Sequence, residues 1–477
     1  MLVLYNTLTK EKECFIPLQK KEVSLYTCGP TVYGKIHIGN IRSYLMADTL
    51  RRVLLLEGYK VRHIKNITDV GHLTADNIAQ GDSGEDKIEK KAKEEQTTPE
   101  KITRVYEDYF HKTEQKMNIL DADLFPKATE HIPQMISLIQ KLLDSNHAYI
   151  SNQNIFLDVT SFPEYGKLSG NSLEKLKTGA RLAKHPDKKN PWDFALWLKA
   201  DENHLMQWDS PWGKGYPGWH IECSAMSMTY LGESFDIHTG GEDNIFPHHE
   251  AEKAQSECAT GKPFVKYWVH LRHLLIQNQK MSKSKGTLLT LEDVESKGFS
   301  ATDLRLAFLS SHYRSPMNFT WESLEQSQKN KEKIQSFLLE LSRIQEKEEK
   351  QNNYFDITPY ISDFKKALED DLNTPQALSI IYEMMHAVYI AIHNNSFSST
   401  NAQEILSFWE TANSVLGLNL KKEKEYTLPE NIEKILQERQ IARENKNYIL
   451  ADTLRKKIES FGYEIQDTQE TQTIQKK

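Results

Sequence analysis

The sequence predicts an α/β protein with a parallel-sheet domain that carries an insertion, then an α-helical bundle, and then a small C-terminal domain. Three observations support this prediction. Strand-like and helix-like segments alternate over residues 1–120, which is the pattern of a parallel sheet with crossover helices. Strand-like sequence returns at residues 235–238 after a long interruption. Apolar residues then recur at helical spacing over residues 320–420.

The first segment, 1–120, is predicted to form one half of a Rossmann-like, nucleotide-binding sheet. An alternating run over 22–28 leads into a Gly-Pro turn, and apolar residues recur at helical spacing over 41–56. We expect Gly39 and Asn40 at the N-terminus of this helix, with Asn40 as its N-cap. A strand, a glycine turn and a helix N-terminus together form a cradle for phosphate, because free backbone N–H groups face the anion.

Residues 121–215 are predicted to be an insertion in the sheet, with a helix near 132–143 and a strand over 154–159. Before the insertion, residues 77–96 are rich in Gly, Asp, Lys and Glu, which predicts a surface loop that leads into a helix. The second half of the sheet domain is predicted at 216–318.

The rest of the chain is predicted to form a helical bundle over 319–420 and a small domain over 429–477. A charged run over 421–425 separates the two. Apolar residues at helical spacing in the bundle are Ile334, Phe337, Leu338 and Leu341, followed by Ile361, Phe364, Ala367 and Leu368.

The composition is that of a globular protein of several domains, with 477 residues of which 38% are hydrophobic and 10% aromatic. A net charge of −7 argues against a protein that coats nucleic acid nonspecifically, although a localised basic face can still bind RNA. Four cysteines without a close CxxC pair argue against a disulfide scaffold and leave thiols for a metal. No apolar run is long enough to cross a bilayer and no charged leader precedes the first strand-like segment, so we expect a cytoplasmic protein.

Two motifs far apart in the chain carry the strongest chemical signal. Lys280-Met281-Ser282-Lys283-Ser284 places two lysines and two hydroxyls on a short segment, which suits a loop that folds over a triphosphate. A solvated surface loop is the alternative for any single Lys/Ser pair. The other motif is His37-Ile38-Gly39-Asn40. His37 alone would be an ordinary turn histidine, and the distant lysine motif favours a phosphate contact instead.

These two segments resemble the HIGH and KMSKS signatures of class I aminoacyl-tRNA synthetases, and their surroundings resemble the cysteinyl-tRNA synthetase family. The resemblance extends over nearly the whole chain and includes the stretches 25–33, 66–69, 218–224 and 235–252. One position departs from the signature, because Asn40 stands where HIGH has its second histidine. One imidazole and one amide therefore replace the usual pair of histidines.

The resemblance implies ATP-dependent activation of L-cysteine to cysteinyl-adenylate, followed by transfer to the terminal adenosine of cysteine tRNA. The catalytic residues that it implies are His37, Asn40, Lys280 and Lys283. ATP, bound with Mg²⁺, would also contact Gly39 and Ser282. No protein nucleophile is needed, because both steps depend on positioning and charge stabilisation.

The candidate metal ligands are Cys28, Cys223, His248 and Glu252. On a helix His248 and Glu252 would share a face, and two thiolates, an imidazole and a carboxylate suit zinc. Buried cysteines and a helix-capping histidine would explain the same residues without a metal. The resemblance favours zinc, because each residue lies where cysteinyl-tRNA synthetases carry a zinc ligand. It implies one Zn²⁺ per chain that selects the substrate thiolate, since serine offers no comparable ligand.

The amino-acid pocket that the resemblance implies consists of Thr68, Asp69, Trp219, His238 and Asp243. Trp219 is assigned to the wall against the cysteine methylene, with a plain core tryptophan as the alternative. The sequence contains no large extra domain for hydrolytic editing, which agrees with selection by a metal.

The resemblance also assigns tRNA contacts to Arg443, Lys446, Arg455 and Lys456 in the C-terminal domain, while the bundle would bind the anticodon stem. A charged amphipathic hairpin stabilised by i,i+4 ion pairs is the alternative explanation of this pattern. The tail after residue 466 has no aromatic residue for base stacking. We expect the protein to be a monomer.

Two other functions fit part of the pattern. A cysteine ligase of the same fold, which joins cysteinyl-adenylate to an amino sugar, would keep the zinc and phosphate motifs but lack the C-terminal RNA module. A noncatalytic, zinc-containing RNA-binding relative would have lost a lysine of the 280–284 motif or a zinc ligand, and this chain keeps all of them. Cysteine-dependent ATP–pyrophosphate exchange, repeated with serine, distinguishes these possibilities.

Overall fold

The computed structural model of the protein describes residues 1–75, 83–172, 174, 185–202, 204–280, 288–346, 355–420, 429–467 and 472–476. The chain forms two compact units, Met1–Leu420 and Lys421–Lys477. No helix in the described ranges is both long and apolar enough to cross a membrane. Of the stretch 77–96, predicted as a surface loop that leads into a helix, residues 77–82 lie outside the described residues, Ser83–Asp86 form a strand, and Lys87–Glu94 form the helix.

The strands of the first unit are β1 (Val3–Asn6), β2 (Glu11–Cys14), β3 (Glu22–Thr27), β4 (Lys60–Lys65), β5 (Leu73–Ala75), β6 (Ser83–Asp86), β7 (Ala148–Ser151), β8 (Asn154–Leu157), β9 (Phe194–Lys199), β10 (Gly215–Pro217), β11 (Phe235–Gly241), β12 (Val265–Leu271), β13 (Leu274–Ile276), β14 (Gln279–Lys280) and β15 (Met317–Phe319).

The helices of the first unit are α1 (Ile38–Leu56), α2 (Lys87–Glu94), α3 (Pro99–Lys116), α4 (Ile132–Asp144), α5 (Trp219–Leu231), α6 (Glu250–Thr260), α7 (Leu291–Ser296), α8 (Ala301–Leu309), α9 (Trp321–Gln345), α10 (Thr358–Glu369), α11 (Thr374–His393) and α12 (Ser399–Leu416). Short helical turns also occur at Ala128–His131, Val159–Ser161, Glu242–Asn244 and Ile245–His249.

Four parallel strands form the central sheet in the order β12-β11-β3-β4. Helix α1 connects β3 to β4, as parallel strands require, and packs on the sheet. Leu25 and Ile237 of the sheet share one buried core with Leu50 and Val53 of α1. The predicted α/β class with a parallel, Rossmann-like sheet is confirmed.

Helix α1 begins at Ile38, three residues before the predicted start. Its N-cap is His37, whose backbone is extended (φ −99°, ψ 167°). The expectation that Asn40 is the N-cap is therefore wrong. Asn40 is the third helical residue, and its N–H donates to His37 Nδ1 (3.2 Å). His37 takes the capping role because its ring nitrogen reaches this N–H, as the side-chain oxygen of Ser or Asp does in other helices.

The insertion folds around a second sheet, which is antiparallel and has the order β10-β9-β8-β7. Helix α4 covers this sheet, and their apolar side chains form one buried core. The helix predicted near 132–143 is confirmed, but the strand predicted over 154–159 ends at Leu157. Asp158 ends it, because the Asp158 side chain accepts from the N–H of Thr160 (3.0 Å) and starts a short helical turn.

Helices α9 to α12 form the bundle, and a buried ionic network joins α12 to α1. Asp48 of α1 accepts from Arg52 Nε (2.9 Å) and from Arg305 Nη2 of α8 (2.6 Å). The same two arginines donate to the carbonyls of Ser414 (2.8 Å) and Leu416 (2.6 Å) at the end of α12. Cationic donors thus satisfy the last carbonyls of α12, where the helix dipole is negative.

The second unit contains two helices and a hairpin, α13 (Glu430–Glu444), α14 (Tyr448–Ser460), β16 (Tyr463–Asp467) and β17 (Gln472–Lys476). The two strands pair antiparallel. This unit has a small apolar core of its own, made of Ile432, Ile435, Leu454, Ile458, Tyr463 and Ile465.

Candidate active site and metal centre

The candidate site lies at the carboxyl ends of β3 and β11, where open parallel sheets bind their ligands. The turn after β3 closely approaches the chain after β4. Gly29 N–H donates to Asn66 Oδ1 (2.9 Å), and a Cβ at position 29 would stand 1.6 Å from the carbonyl oxygen of Asn66. Only glycine fits here, and the contact fixes the neighbouring Cys28 at the end of β3.

Four buried side chains form what we call the metal cluster, which consists of Cys28, Cys223, His248 and Glu252. Their ligand atoms all lie within 4.8 Å of one another. The Sγ atoms of Cys28 and Cys223 are 3.9 Å apart, and His248 Nε2 is 3.0 Å from Glu252 Oε1. The structure therefore brings the four predicted ligands together from β3, α5, the turn before α6, and α6.

The donor chemistry and spacing of the metal cluster fit a zinc ion. Tetrahedral zinc binds sulfur at about 2.3 Å, which places two sulfur ligands about 3.8 Å apart. The 3.9 Å separation of Cys28 and Cys223 matches that distance. Two thiolates and an imidazole also favour zinc over Ca²⁺ and Mg²⁺, which prefer oxygen ligands.

Two further histidines reach the metal cluster. His249 Nε2 lies 3.2 Å from Cys28 Sγ, and His238 Nε2 lies 2.9 Å from Glu252 Oε2. With Cys28 and Glu252 they form a second possible ligand set. His238 was expected in the amino-acid pocket, and the structure places it against Glu252. His249 was not predicted, because the i,i+4 spacing to Glu252 singled out its neighbour, His248.

His248 and His249 each contact another histidine through their second ring nitrogen. His248 Nδ1 lies 2.8 Å from His220 Nδ1, and His249 Nδ1 lies 2.7 Å from His270 Nε2. His270 Nδ1 in turn lies 2.7 Å from Thr7 Oγ1. Contacts of this kind fix the orientation and tautomer of a ligating imidazole. Sequence reasoning missed His220 and His270, because no local spacing relates α5 and β12 to the turn before α6.

Burial and mutual charge set the protonation of the metal cluster. Burial disfavours the charged form of Glu252 and raises its pKa. The interactions with His238 and His248 have the larger combined effect and lower the Glu252 pKa to about 2. Burial likewise lowers the pKa of His248, but the interactions with Glu252 and Cys223 are stronger and raise it to about 10. The hydrogen bond with Cys28 lowers the pKa of Cys223 to about 6, while burial raises the pKa of Cys28. The cluster thus holds the Glu252 carboxylate and readily forms the Cys223 thiolate, which are forms that bind a cation. His248 is protonated at neutral pH and must release its proton to become a metal ligand.

Trp219 covers one side of the metal cluster. Its ring stacks on His248 (centroids 4.3 Å apart, rings 30° apart) and on His72 (4.3 Å, 7°). Trp219 is the first residue of α5, one turn before Cys223, and it is only partly buried. The role of Trp219 as the wall against the cysteine methylene stays a prediction.

The other predicted pocket residues lie in different surroundings. Thr68 is buried, and its Oγ1 accepts from Asn66 Nδ2 (3.1 Å). Asp69 accepts from the N–H (2.9 Å) and Oγ1 (2.6 Å) of Thr129, so its carboxylate holds the start of the insertion. The side chain of Asp243 is 69% exposed and lies 3.4 Å from His273 Nδ1, outside the metal cluster. Contacts of Thr68 and Asp243 with the substrate stay predictions.

The predicted ATP site begins at the N-terminus of α1, which lies beside the segment that follows the lysine motif. Ile38 N–H donates to the carbonyl of Leu289 (2.8 Å). Ser282 and Lys283 lie outside the described residues. For Lys280 the structure gives the backbone, in β14, where it pairs with Leu275 of β13. The contacts of these three residues with ATP stay predictions.

The predicted tRNA contacts lie on α13, on α14 and in the turn between them. Lys446 and Lys456 are exposed, and Arg443 is partly exposed. Arg455 Nη2 donates to the carbonyl of Ile465 (3.0 Å), so this residue also holds α14 against β16.

Sequence reasoning missed an exposed aromatic residue in the second unit. Tyr448, the first residue of α14, is 63% exposed, and its neighbour Ile449 is 85% exposed. An exposed ring beside basic side chains is a surface on which a nucleic acid base can stack. The sequence places Tyr448 directly after the polar and charged run 443–447, at the start of the apolar stretch 448–451.

The sequence matches two known protein families and many curated relatives. Residues 14–329 match the catalytic domain of class I (C) tRNA synthetases, and residues 363–421 match the DALR domain. The cysteine–tRNA ligase of Chlorobaculum tepidum is 41% identical over 493 residues, covering 100% of this chain and 99% of that protein. The cysteine–tRNA ligase of Treponema denticola is 41% identical over 500 residues, and that of Thermus thermophilus is 40% identical over 482, each covering 98% of both chains.

Solved structures share the fold at much lower sequence identity. Methionyl-tRNA synthetase of Mycobacterium tuberculosis, bound by methionyl-adenylate, matches with a TM-score of 0.60 and 13% identity, over 83% of this chain and 89% of that chain. A ternary complex of Agrobacterium radiobacter K84 LeuRS matches with a TM-score of 0.62 and 11% identity, over 84% of this chain and 85% of that chain. At these identities the likeness shows the fold alone.

Proposed function

Because this chain belongs to the cysteine–tRNA ligases of class I, we propose that it activates L-cysteine with ATP and transfers the cysteinyl group to the terminal adenosine of cysteine tRNA. The observation that carries this proposal is the metal cluster. It places two thiols, an imidazole and a carboxylate, all buried, at the carboxyl end of β3 in the sheet domain that also contains the HIGH-like motif.

We propose that Cys28, Cys223, His248 and Glu252 hold one Zn²⁺. A bound zinc would have room for one more ligand. It would lower the pKa of a substrate thiol there and bind it as the thiolate. The surrounding residues keep the donor atoms in place for this task. His220 orients the His248 ring through the 2.8 Å contact of their Nδ1 atoms, and the glycine turn after β3 fixes Cys28.

Selection of cysteine over serine follows from this set of donors. A hydrophobic pocket distinguishes isosteric side chains by only about a hundredfold. A sulfur ligand gains far more from zinc than a hydroxyl does, because thiolates are the softer ligands. Trp219 would pack against the substrate methylene and keep water away from the sulfur. The family resemblance assigns Thr68, His238 and Asp243 to the same pocket.

Activation of cysteine needs the triphosphate to be held in line with the attacking carboxylate. We assign His37 and the Gly39 N–H to one side of the triphosphate, with Asn40 beside them. Lys280, Ser282 and Lys283 are assigned to the other side, and Mg²⁺ bound with ATP would neutralise part of the phosphate charge. These groups stabilise the charge that develops on the leaving pyrophosphate, so catalysis here consists of positioning and electrostatics.

Transfer of the cysteinyl group requires a bound tRNA. We propose that the bundle contacts the anticodon stem, and that Arg443, Lys446, Arg455 and Lys456 contact phosphates or anticodon bases. The exposed Tyr448 offers a stacking surface that the tail after residue 466 does not. We further propose that the protein is cytoplasmic and acts as a monomer.

The proposal is tested by cysteine-dependent ATP–pyrophosphate exchange with the full-length protein, followed by charging of cysteine tRNA. Exchange should occur with cysteine and be barely detectable with serine. Exchange without charging of tRNA would favour the amino-sugar ligase function. Neither exchange nor charging would favour a noncatalytic relative.

A further inference from the structure

His72 lies beside Trp219, and the proposed function gives it no task. It immediately precedes β5, and its ring stacks on the Trp219 indole with centroids 4.3 Å apart and planes 7° apart. Aromatic rings in contact gain energy beyond the burial of their surfaces. Trp219 is partly buried at the first position of α5, so the rings beside it contribute to holding its side chain in one rotamer. One of these rings is His248 of the metal cluster, and the other is His72.

Both ring nitrogens of His72 have side-chain partners. Nδ1 lies 2.7 Å from Thr31 Oγ1, and Nε2 contacts the Nζ of Lys87. An ammonium group only donates hydrogen bonds, so Nε2 accepts from Lys87, and a neutral His72 carries its proton on Nδ1 and donates to Thr31. Burial of the ring and the Lys87 charge lower the pKa of His72 well below its usual value, which keeps the imidazole neutral. Two hydrogen bonds therefore fix the ring on which Trp219 stacks.

The backbone at His72 is fixed to the start of α2 as well. Lys87 N–H donates to the His72 carbonyl (3.0 Å), and Gly71 N–H donates to Asp86 Oδ2 (2.8 Å). Asp86 is also the N-cap of α2. The start of α2 thus holds both the backbone and the ring of His72, and the ring in turn contacts Trp219.

We propose that His72 is a positioning residue that holds the Trp219 indole as the wall of the amino-acid pocket. His72 acts on cysteine binding through Trp219, and not by contact with the substrate. The inference rests on the proposed function, which places Trp219 against the cysteine methylene. An indole that is already held in place does not have to be ordered when cysteine binds, so the affinity for cysteine is higher than with a mobile wall.

The first test is His72→Ala in the full-length protein, measured by cysteine-dependent ATP–pyrophosphate exchange. KM for cysteine should rise about tenfold, which is the upper range for the loss of one aromatic pair. The kcat and KM for ATP should change by less than about twofold, and the zinc content should stay unchanged. A lower kcat with an unchanged KM for cysteine would overturn the proposal.

A double-mutant cycle with Trp219→Ala shows whether His72 acts through the indole. In the Trp219→Ala background, His72→Ala should lower kcat/KM for cysteine by less than a further twofold, because its partner is already gone. Losses that multiply fully in the double variant would show that His72 affects cysteine independently of Trp219, and the proposal would fail.

Two further variants separate positioning from general stability. His72→Phe keeps a flat ring beside the indole and should give a KM for cysteine nearer to the wild-type value than His72→Ala does. Equal KM values in these two variants would contradict the proposal. The matched control is His111→Ala in α3, which removes an edge-on ring pair with Phe125 (centroids 4.6 Å apart, rings 90° apart). It should leave KM for cysteine unchanged. An equal rise in this control would mean that the effect of His72 is a general loss of stability.

The fluorescence of Trp219 gives a readout that does not depend on activity. The chain has eight tryptophans, so the Trp219 emission is taken as the difference between each protein and the same protein with Trp219→Phe. This emission should shift to the red in His72→Ala, because water reaches the indole where the imidazole was. Identical Trp219 emission with and without His72 would overturn the proposal. The expected shift in a protein without exchange activity would support the placement of Trp219 by His72 and count against the proposed function alone.

Discussion

Cys223 and His249 distinguish the two possible ligand sets of the metal cluster, because each residue belongs to only one of them. Both sets share Cys28 and Glu252. Cys223 completes the predicted set with His248, and His249 completes the other with His238. Trp219, the proposed wall of the pocket, stacks on His248 of the first set, which is the arrangement we favour.

We predict that Cys223→Ser lowers the zinc content below the proposed one ion per chain and raises KM for cysteine in parallel. A hydroxyl is a poor zinc ligand near neutral pH, because it does not ionise as a thiol does. Elemental analysis of dialysed protein and exchange kinetics measure the two effects. Cys14→Ser is the matched control, since Cys14 is exposed and should not affect zinc. Full zinc in Cys223→Ser, together with loss of zinc in His249→Gln, would identify the second ligand set as the site.

Lys283 is predicted to stabilise the leaving pyrophosphate, and its loss should act on the activation step only. Lys283→Ala should slow exchange by about a hundredfold to a thousandfold, comparable to the loss of one oxyanion donor, while zinc content stays unchanged. Lys285→Ala, two residues away, is the control for the charge of the segment and should have a much smaller effect. Exchange at the wild-type rate in Lys283→Ala would mean that the lysine motif is structural.

At the scale of secondary-structure elements, the contact between α1 and α12 depends on one buried carboxylate. Asp48 is fully buried and binds two arginines, Arg52 and Arg305, which are themselves almost fully buried. Gly417, just after α12, has φ +60°, and a Cβ there would stand 2.4 Å from Arg305 Nη2. The C-terminus of helix α12 therefore contacts the Arg305 guanidinium. We call the buried group of Asp48, Arg52 and Arg305, which links α1 to α12, the junction.

We predict that Asp48→Asn destabilises the protein by about 3 kcal/mol, because it leaves two buried guanidinium groups without a counter-charge. Urea denaturation, followed by a probe of helix content, measures the shift of the unfolding midpoint. Asp363→Asn is the matched control, because Asp363 and its partner Lys366 are 56% and 69% exposed. The control should change stability by about 0.5 kcal/mol or less. Equal shifts in the two variants would show that the junction contributes no more than a surface ion pair.

At the scale of the whole molecule, the sequence was informative where a repeated pattern or a motif existed. Apolar periodicity located α4 and the return of the sheet at β11, and the family resemblance identified the four residues of the metal cluster. The start of α1 was missed because Asn is a far commoner N-cap than His, whereas the observed cap depends on the His37 ring reaching the N–H of Asn40.

The histidines around the metal cluster could not be predicted for a different reason. Their contacts join elements far apart in the chain, and the local sequence does not show which side chains of α5 and β12 face the cluster. Phe246 has an extended backbone (φ −140°, ψ 128°), which interrupts the helical turn before α6. The helical spacing of residues before Phe246 therefore does not predict which way His248 and His249 point. Tertiary packing, which a local sequence pattern does not predict, determines which histidine ring nitrogens are in contact.

The division of the chain into two compact units predicts that amino-acid activation and tRNA charging can be separated. The first unit contains the metal cluster and the start of α1, while the second has its own apolar core. Removing residues 421–477 should therefore leave cysteine-dependent exchange near the full-length rate and lower the charging of cysteine tRNA sharply. Both rates are measured side by side on the two proteins.

A full-length variant with Lys446→Ala and Lys456→Ala shows whether phosphate contacts cause the loss of charging. Both lysines are exposed, so the variant should fold normally and weaken tRNA binding. Each lost phosphate contact should make the salt dependence of binding shallower, because fewer counterions are released from the RNA. If truncation abolishes charging while the double variant keeps the wild-type salt dependence, bases rather than phosphates carry recognition, and the exposed Tyr448 becomes the residue to test. Equal charging by the full-length and truncated proteins would instead place all tRNA recognition in the first unit.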